Sequence, residues 1–570
     1  MPLNERDRSR GWMLIAWALF LTAVMGAITI HIERTYFEHY SYFFDPISYS
    51  FYNARLYTRL ADENRLSLVL QEWLNNPRHP LRTIATLLFA PRLLASPIGH
   101  MATALPMLFI FLSLLGRTIY VRCQHALYAA ACMLLFCAIP VMFYPVLGLG
   151  AFWADLPASF LVAGAALCLL NSSEARNLKW LVGFAVLASL AALSRYVAAA
   201  YVFVACAPVL LLYLVQRARQ EGSVIRNVLT PVAVIAVCIG VLAGYFLIAH
   251  YNFNIHYYTV FEYTHGQNIF ASLASVMRSM LLFFGAQGLV VLAALALVNG
   301  FLFWKFTTRN WGDLLVSLWL AVAEIFLLVV GIREAGADHV AIYAVPLIAF
   351  AVASPASFMY ATTDQETLLR RWLTMLACAL IFIGVLGAGR AAWVNYQYAK
   401  HPSRDFQEQK AFDVVLGEAI HREGGALVWI AYFQEYAWIP SMETFYRHGE
   451  LPLPAGGGFF EDHESMWKGR FPGLSPAEVS ERVYANTCQW VDVAVVFDDP
   501  AQADANSYMD NPYSRAVAKN VAEQVRTNPQ WTRAFVVEST RYGTLVGYRN
   551  RDSKRRGYET ALRRMAQLTP

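Results

Sequence analysis

Between Gly11 and Gly389 the chain returns repeatedly to apolar runs close to the roughly 20 residues that a helix needs to cross a bilayer. Water is missing from a bilayer core, so only a helix or a closed barrel can satisfy every backbone amide there, and runs of this length read as helices. They cover 11–30, 99–116, 124–143, 156–171, 179–193, 197–215, 228–249, 279–302, 312–331, 339–358 and 372–389, or about eleven expected spans. Composition agrees: 57% of the 570 residues are hydrophobic and 15% are charged, against about 25% charged in soluble domains. From Arg390 to Pro570 no such run occurs. The expected organisation is a polytopic α-helical membrane domain, residues 1–390, followed by a soluble mixed α/β domain, residues 391–570.

Charge orients the spans. Gly11–Ile30 follows Arg6, Arg8 and Arg10 and lacks a small-residue cleavage site before His31-Ile32-Glu33-Arg34, so it is read as a retained signal anchor with a cytoplasmic N-terminus. The inner loops then carry Arg117 and Arg122, Arg176 and Lys179, Arg217, Arg219 and Arg226, Lys305 and Arg309, and Arg370 and Arg371, as the positive-inside rule requires. An odd number of spans exports the C-terminal domain. The first outer loop, 32–99, is long and holds two amphipathic stretches, Ile47–Leu60 and Leu66–Leu74, suited to helices lying on the membrane surface.

In the C-terminal domain Ala426–Tyr432 and Val491–Phe497 read as strands. Ala534–Thr540 and Thr544–Arg549 read as a hairpin around Tyr542-Gly543, and Leu451–Phe460 reads as a Gly/Pro-rich loop. Of the eight cysteines only Cys488 lies in this domain, which excludes a disulfide within it, and no CxxC pair suggests a structural metal. The net charge of +5 is spread over many loops rather than gathered into a basic arm, so nucleic acid is not an expected partner.

Several polar residues in or beside outer loops need a reason. Asp45, in Tyr42-Phe43-Phe44-Asp45-Pro46, follows an aromatic wall that would desolvate a carboxylate toward a general base's working range; an N-cap before a helix-starting Pro is the simpler role, and the two are compatible. Asp155 opens the fourth span, where it caps a helix or faces a polar cavity. Two carboxylates on one face can divide work, one taking a proton while the other orients a substrate or helps hold a divalent cation such as Mg or Mn. Arg195, in Leu193-Ser194-Arg195-Tyr196, breaks the positive-inside trend and is a candidate phosphate partner, as are Arg333 and His339; snorkelling to lipid headgroups is the alternative for each. Arg78, His79, His256, Tyr257 and His265 are candidate substrate contacts. The aromatic cluster around Tyr257 also fits an interfacial belt, and Glu72 and Glu262 fit solvated helix faces.

Residues 11–390 resemble the GT-C superfamily of membrane glycosyltransferases, which includes protein O-mannosyltransferases, aminoarabinose transferases and arabinofuranosyltransferases. The likeness lies in an acidic residue just after the first span, Asp45, leading into a surface helix. It continues with His79-Pro80-Leu81 before the second span, Asp155 opening the fourth and Arg195-Tyr196 after the fifth. Many relatives have a paired acid where this chain has Asp45-Pro46, and Pro-Pro where it has His79-Pro80. The resemblance implies a GT-C-like fold and transfer of a hexosyl or pentosyl group from a polyprenyl-phosphate donor to a glycan, lipid or protein hydroxyl outside the plasma membrane. It also implies Asp45 as general base, Asp155 as its partner, and Arg195, Arg333 and His339 on the leaving phosphate. A transporter or flippase is the alternative, for which Glu324 within the ninth span is the chief sign.

Overall fold

A computed structural model of the chain describes residues 5–41, 44–76, 80–151, 154–219, 224–252, 269–306, 311–332, 340–353, 363–425, 427–430, 434–454, 472–486, 491–499, 512–539 and 543–551. In chain order its helices are α1 Glu5–His39, α2 Phe44–Arg59, α3 Arg65–Asn75, α4 Pro80–Phe89, α5 Met101–Cys123, α6 Ala126–Cys137, α7 Asp155–Asn171, α8 Leu178–Ser194 and α9 Ala198–Ala218. There follow α10 Ile225–Ala249, α11 Ile269–Phe306, α12 Trp311–Phe326, α13 Ala344–Ala353, α14 Thr363–Lys400, α15 Arg404–Arg422, α16 Gln434–His448, α17 Pro476–Asn486 and α18 Pro512–Thr527. The chain divides into two units: Met1–Arg34 with Asn64–Leu93 and Ile98–Gln397, and Thr35–Glu63 with Leu94–Pro97 and Tyr398–Pro570.

The first unit is the apolar body. Seven of its described helices are long and apolar enough to cross a membrane: α1, α5, α9, α10, α11, α12 and α14. The other four expected spans coincide with shorter apolar helices, α6, α7, α8 and the segment Val340–Ala353. The two amphipathic stretches Ile47–Leu60 and Leu66–Leu74 are helical, within α2 and α3.

Helix α7 is the centre of the body because its sequence is built for close approach. Its run Val162-Ala163-Gly164-Ala165-Ala166 presents almost no side-chain bulk, and every residue from Asp155 to Leu169 is buried. Without a hydrophobic drive between helices in lipid, small residues are what allow backbones to pack tightly. Larger groups fill the gaps that remain: Phe160 of α7 meets Phe111 of α5 at 5.8 Å and Phe136 of α6 at 6.1 Å.

Polar groups in the body are tied to one another. Arg122, in the last turn of α5, pairs with Asp313 at 2.8 Å and donates to Ser317 at 2.9 Å on α12. Asn299 of α11 donates to the carbonyls of Val352 and Ala353, and Tyr128 of α6 donates to the latter at 2.6 Å. Together they satisfy orphan carbonyls at the C-terminus of the short helix α13.

One break in a helix shapes this unit. At Gly285 the backbone of α11 has φ 67° and ψ 158°, a region essentially closed to any other residue. Opposite the break stands the Pro140 ring, 3.5 Å from where a Cβ would lie.

The second unit holds a five-stranded mixed sheet in the order β2-β1-β3-β5-β4, with β1 Leu427–Ile430, β2 Leu453–Pro454, β3 Val493–Phe497, β4 Trp531–Ser539 and β5 Gly543–Asn550. The β1/β2 and β1/β3 pairs are parallel, and the β3/β5 and β5/β4 pairs antiparallel. The expected strands and hairpin are thus present, and β2 adds a short edge inside the segment read as a loop. Central β3, Val-Ala-Val-Val-Phe, is buried at every position, as a strand covered on both faces should be. Helix α2 belongs to this unit: Ala54 and Leu56 are buried, Tyr57 meets Phe445 of α16 edge-on at 6.3 Å, and Phe51 packs against the core that includes Ala494 and Val496 of β3.

Gly285→Val should destabilise the protein by about 1–3 kcal/mol, the cost of holding a non-glycine residue in that backbone region. Thermal unfolding in detergent should show a lowered midpoint; an unchanged midpoint would mean that α11 straightens at no cost.

Candidate functional site

The start of α7 carries the most unusual chemistry in the apolar body. Asp155 is its first residue and only 1% exposed, and Arg195, which ends α8, is 5% exposed. Arg195 Nε lies 3.2 Å from Asp155 Oδ1. The Tyr343 hydroxyl, from the 3-10 turn Val340–Tyr343 that leads into α13, donates to the same oxygen at 3.1 Å. Tyr343 stacks on Tyr201 of α9 with centroids 4.2 Å apart and planes 8° apart, and Tyr201 donates to the Val340 carbonyl at 3.3 Å. Four helices therefore converge on one carboxylate.

Local sequence explains the placement. Gly148 sits where a Cβ would come within 2.4 Å of the Val141 carbonyl oxygen and 2.5 Å of that of Tyr144, so only glycine closes this turn. Next, the Gly150 carbonyl meets His100 Nε2, and Glu33 Oε2 lies 3.1 Å from the position of a Gly150 Cβ. On the other side, Arg195 adopts an extended backbone (φ −157°, ψ 123°) that ends α8 and turns its side chain away from the helix. Tyr196 then packs with Trp73 and Leu81, from α3 and α4, against Leu193, Ala243 and Phe246.

Asp155 does not cap its helix. The N-cap position is Ala154, without a side-chain hydrogen bond, while the Asp155 carboxylate turns to Arg195 and Tyr343. Arg195 is held inside the protein rather than reaching for headgroups. Asp155 Oδ2 is buried and has no hydrogen-bond partner among the described residues. A buried carboxylate oxygen left without a donor costs free energy, which a bound hydroxyl, amine or water would recover.

Asp45 is the second residue of α2, in its first turn and in the second unit. Its side chain lies outside the described residues, as do Arg78, His79, His256, Tyr257, His265, Arg333, His339 and Glu262. Glu72 is not on a solvated face: it is 3% exposed and accepts from Asn76 Nδ2 at 3.0 Å, because α3 turns it inward beside Leu68. Tyr343 and Tyr201 are site residues that sequence reasoning missed. Their one signal was a tyrosine just after Asp338-His339 at the head of a span, which an interfacial belt explains equally well.

Among the described residues no three His, Cys, Asp or Glu side chains are grouped to hold a metal ion. At Asp155 the neighbouring charge is the Arg195 guanidinium.

A second feature of the body is an apolar cavity of about 690 Å³ between α6, α11, α13 and α14. Phe136, Pro140, Gly285 and Phe382 line it, and Arg390, hydrogen-bonded to Gln287, supplies its charge. The break at Gly285 lies in its wall.

Arg195→Met should destabilise the protein by roughly 3–5 kcal/mol, since it leaves the Asp155 carboxylate buried without its counter-charge. The double variant Asp155→Asn/Arg195→Met should recover much of that loss. Additive losses in thermal unfolding would show that the two side chains are not energetically coupled.

No protein-family model matches the chain, and no curated protein sequence does. Solved structures do. The apo crystal structure of ArnT from Cupriavidus metallidurans is similar with a TM-score of 0.54 at 12% identity, covering 93% of this chain and 98% of the ArnT chain. The structure of the same ArnT bound to undecaprenyl phosphate is similar with a TM-score of 0.54 at 13% identity over the same shares. The chain has the fold of ArnT, from its apolar body through its C-terminal α/β domain.

Proposed function

We propose that the protein is an integral-membrane glycosyltransferase that moves a sugar from a polyprenyl-phosphate carrier to a hydroxyl on a cell-envelope glycan, lipid or protein. The observation that carries this reading is the fold, shared along 93% of the chain with an enzyme that has been solved with undecaprenyl phosphate. The apolar cavity beside α11 supports a substrate with a long hydrocarbon tail, and the distribution of Lys and Arg supports an outer-face reaction. Nucleotide sugars are cytoplasmic, so an outer-face site calls for a lipid-carried donor.

In this reading the acceptor hydroxyl gives its proton to Asp45 and attacks the anomeric carbon, while the bond to the polyprenyl phosphate breaks and the phosphate takes the electron pair. Arg195, with Arg333 and His339, offsets the charge that grows on the leaving phosphate. Asp155 acts in two ways. Through Oδ1 it fixes Arg195 and accepts from Tyr343, and through Oδ2 it is available to a sugar or acceptor hydroxyl.

Asp45→Asn should fold normally and lower transfer by about 10²-fold or more, the range of a lost general base. Tyr343→Phe should lower it by about tenfold or more, the value of one hydrogen bond to a charged group. The assay is mass spectrometry of envelope glycoconjugates formed by membranes from cells with and without the protein. A folded Asp45→Asn variant with full transfer would remove the base assignment. Solute movement in reconstituted liposomes without any glycosylated product would point to transport instead.

A further inference from the structure

The second unit contains a buried polar network that the proposed reaction does not use. Asp413 of α15 is fully buried, accepts from the Ser41 hydroxyl at 2.9 Å on Oδ2, and accepts from Gln409 Nε2 at 2.9 Å on Oδ1. Ser41 is itself 2% exposed and lies 372 residues away in sequence. It stands between the end of α1 and the start of α2, three peptide links before Phe44, a span of at most about 11 Å. Tyr40, next to it, donates to the Tyr398 carbonyl at 2.9 Å and packs against Phe406 at 5.0 Å. The chain is therefore gripped immediately before the helix that carries Asp45.

We propose that Asp413 is a positioning residue for Asp45, fixing through Ser41 the point from which α2 presents that carboxylate to the transfer reaction. This rests on Asp45 being the general base. Helix α2 meets α16 where Tyr57 packs on Phe445, and Ser41, three residues before α2, is held by α15. The α/β domain thus anchors the chain just before a helix that belongs, by sequence, to the first loop.

The geometry makes the grip sensitive to pH. Burial raises the Asp413 carboxyl from the usual carboxylate range to about 7, against the lowering effect of its hydrogen bonds to Gln409 and Ser41. The charged groups facing it are Glu443 of α16, which raises it further, and Lys410 of its own helix, which lowers it. Lys410 pairs with Glu443 and lies over the Phe37 ring at 4.5 Å, and Arg447 approaches Glu443 at 3.9 Å. Above about pH 7 the ionised carboxylate accepts both hydrogen bonds with charge-assisted strength; below it the neutral acid holds Ser41 more weakly. The sign for stability is opposite. Because the folded-state value is raised, the stabilising contribution of Asp413 is full below about pH 4 and is lost as pH rises through about 7. The network therefore gives up stability to hold α2 more firmly at neutral pH.

The test uses full-length protein in membranes from cells that make it, which carry the native donor and acceptor. Product is followed by mass spectrometry from pH 5.5 to 8.5, and amide hydrogen exchange follows the first turn of α2. Ser41→Ala and Asp413→Asn should each lower the rate at pH 7.5 by about tenfold, the factor of one hydrogen bond. Each should also remove the limb near pH 7 and speed exchange at the start of α2. The double variant should be no worse than either single. If the limb survives, if exchange at α2 is unchanged, or if the two losses multiply, the proposal is wrong. Ser41→Ala removes only a hydroxyl and keeps the test open should Asp413→Asn fail to fold. Asp45→Asn separates the two readings: if it retains activity, the base assignment fails, whereas if it is inactive while Ser41→Ala behaves as wild type, only the positioning role fails. Exchange at α2 answers the structural half without any turnover.

Discussion

A carboxylate buried among apolar helices persists only with a partner, and the pair between Asp155 and Arg195 meets that demand at the head of the body's central helix. Everything around it follows from bringing two distant ends together. Helix α7 must begin where α8 ends, which its small residues permit, and the Val340–Tyr343 turn must sit close enough for a hydroxyl to reach the same oxygen. The stack of Tyr343 on Tyr201 then fixes that hydroxyl's approach without adding charge. A bundle of spans thereby acquires a polar point whose geometry is set by packing.

The second unit applies the same principle with different materials. Its sheet is built around a strand buried on both faces, and its helices carry the ion pair of Lys410 with Glu443 and the carboxylate of Asp413 in the interior. Buried polar groups are worth keeping only when every partner is in place. Here the partners come from the segment before α2 as well as from α15 and α16, so Thr35–Glu63 of the first loop belongs to the same unit as the C-terminal chain.

Hydropathy made the long spans legible, because twenty apolar residues have few alternatives. Alternation and turn chemistry did the same for β4 and β5. Asp155 and Arg195 were legible for the opposite reason: each is a charge where the pattern forbids one. Their direct contact was not, since it depends on how α7 and α8 meet. Tyr343 and Tyr201 were hidden because a tyrosine near a span end is ordinary. Glu72 misled, because amphipathicity shows that a helix has an inward face but not that a neighbour such as Asn76 will turn a glutamate toward it. Ser41 with Asp413 was beyond any local rule, a contact between a connector and a helix far along the chain.

Arg195 in the proposed reaction must attract a phosphate while already paired with a carboxylate, and the pairing helps rather than hinders. A guanidinium presents five donors in a rigid fork, and Asp155 engages it through Nε. An arginine fixed in that way spends less conformational entropy when a phosphate arrives than one that must first be ordered. Its charge is also partly offset before the donor binds, which weakens its hold both on the monoanionic donor diester and on the dianionic phosphate that leaves. Transfer requires that the carrier phosphate be stabilised as the glycosidic bond breaks and released afterward; the guanidinium serves the first need, and its moderation by a fixed carboxylate serves the second.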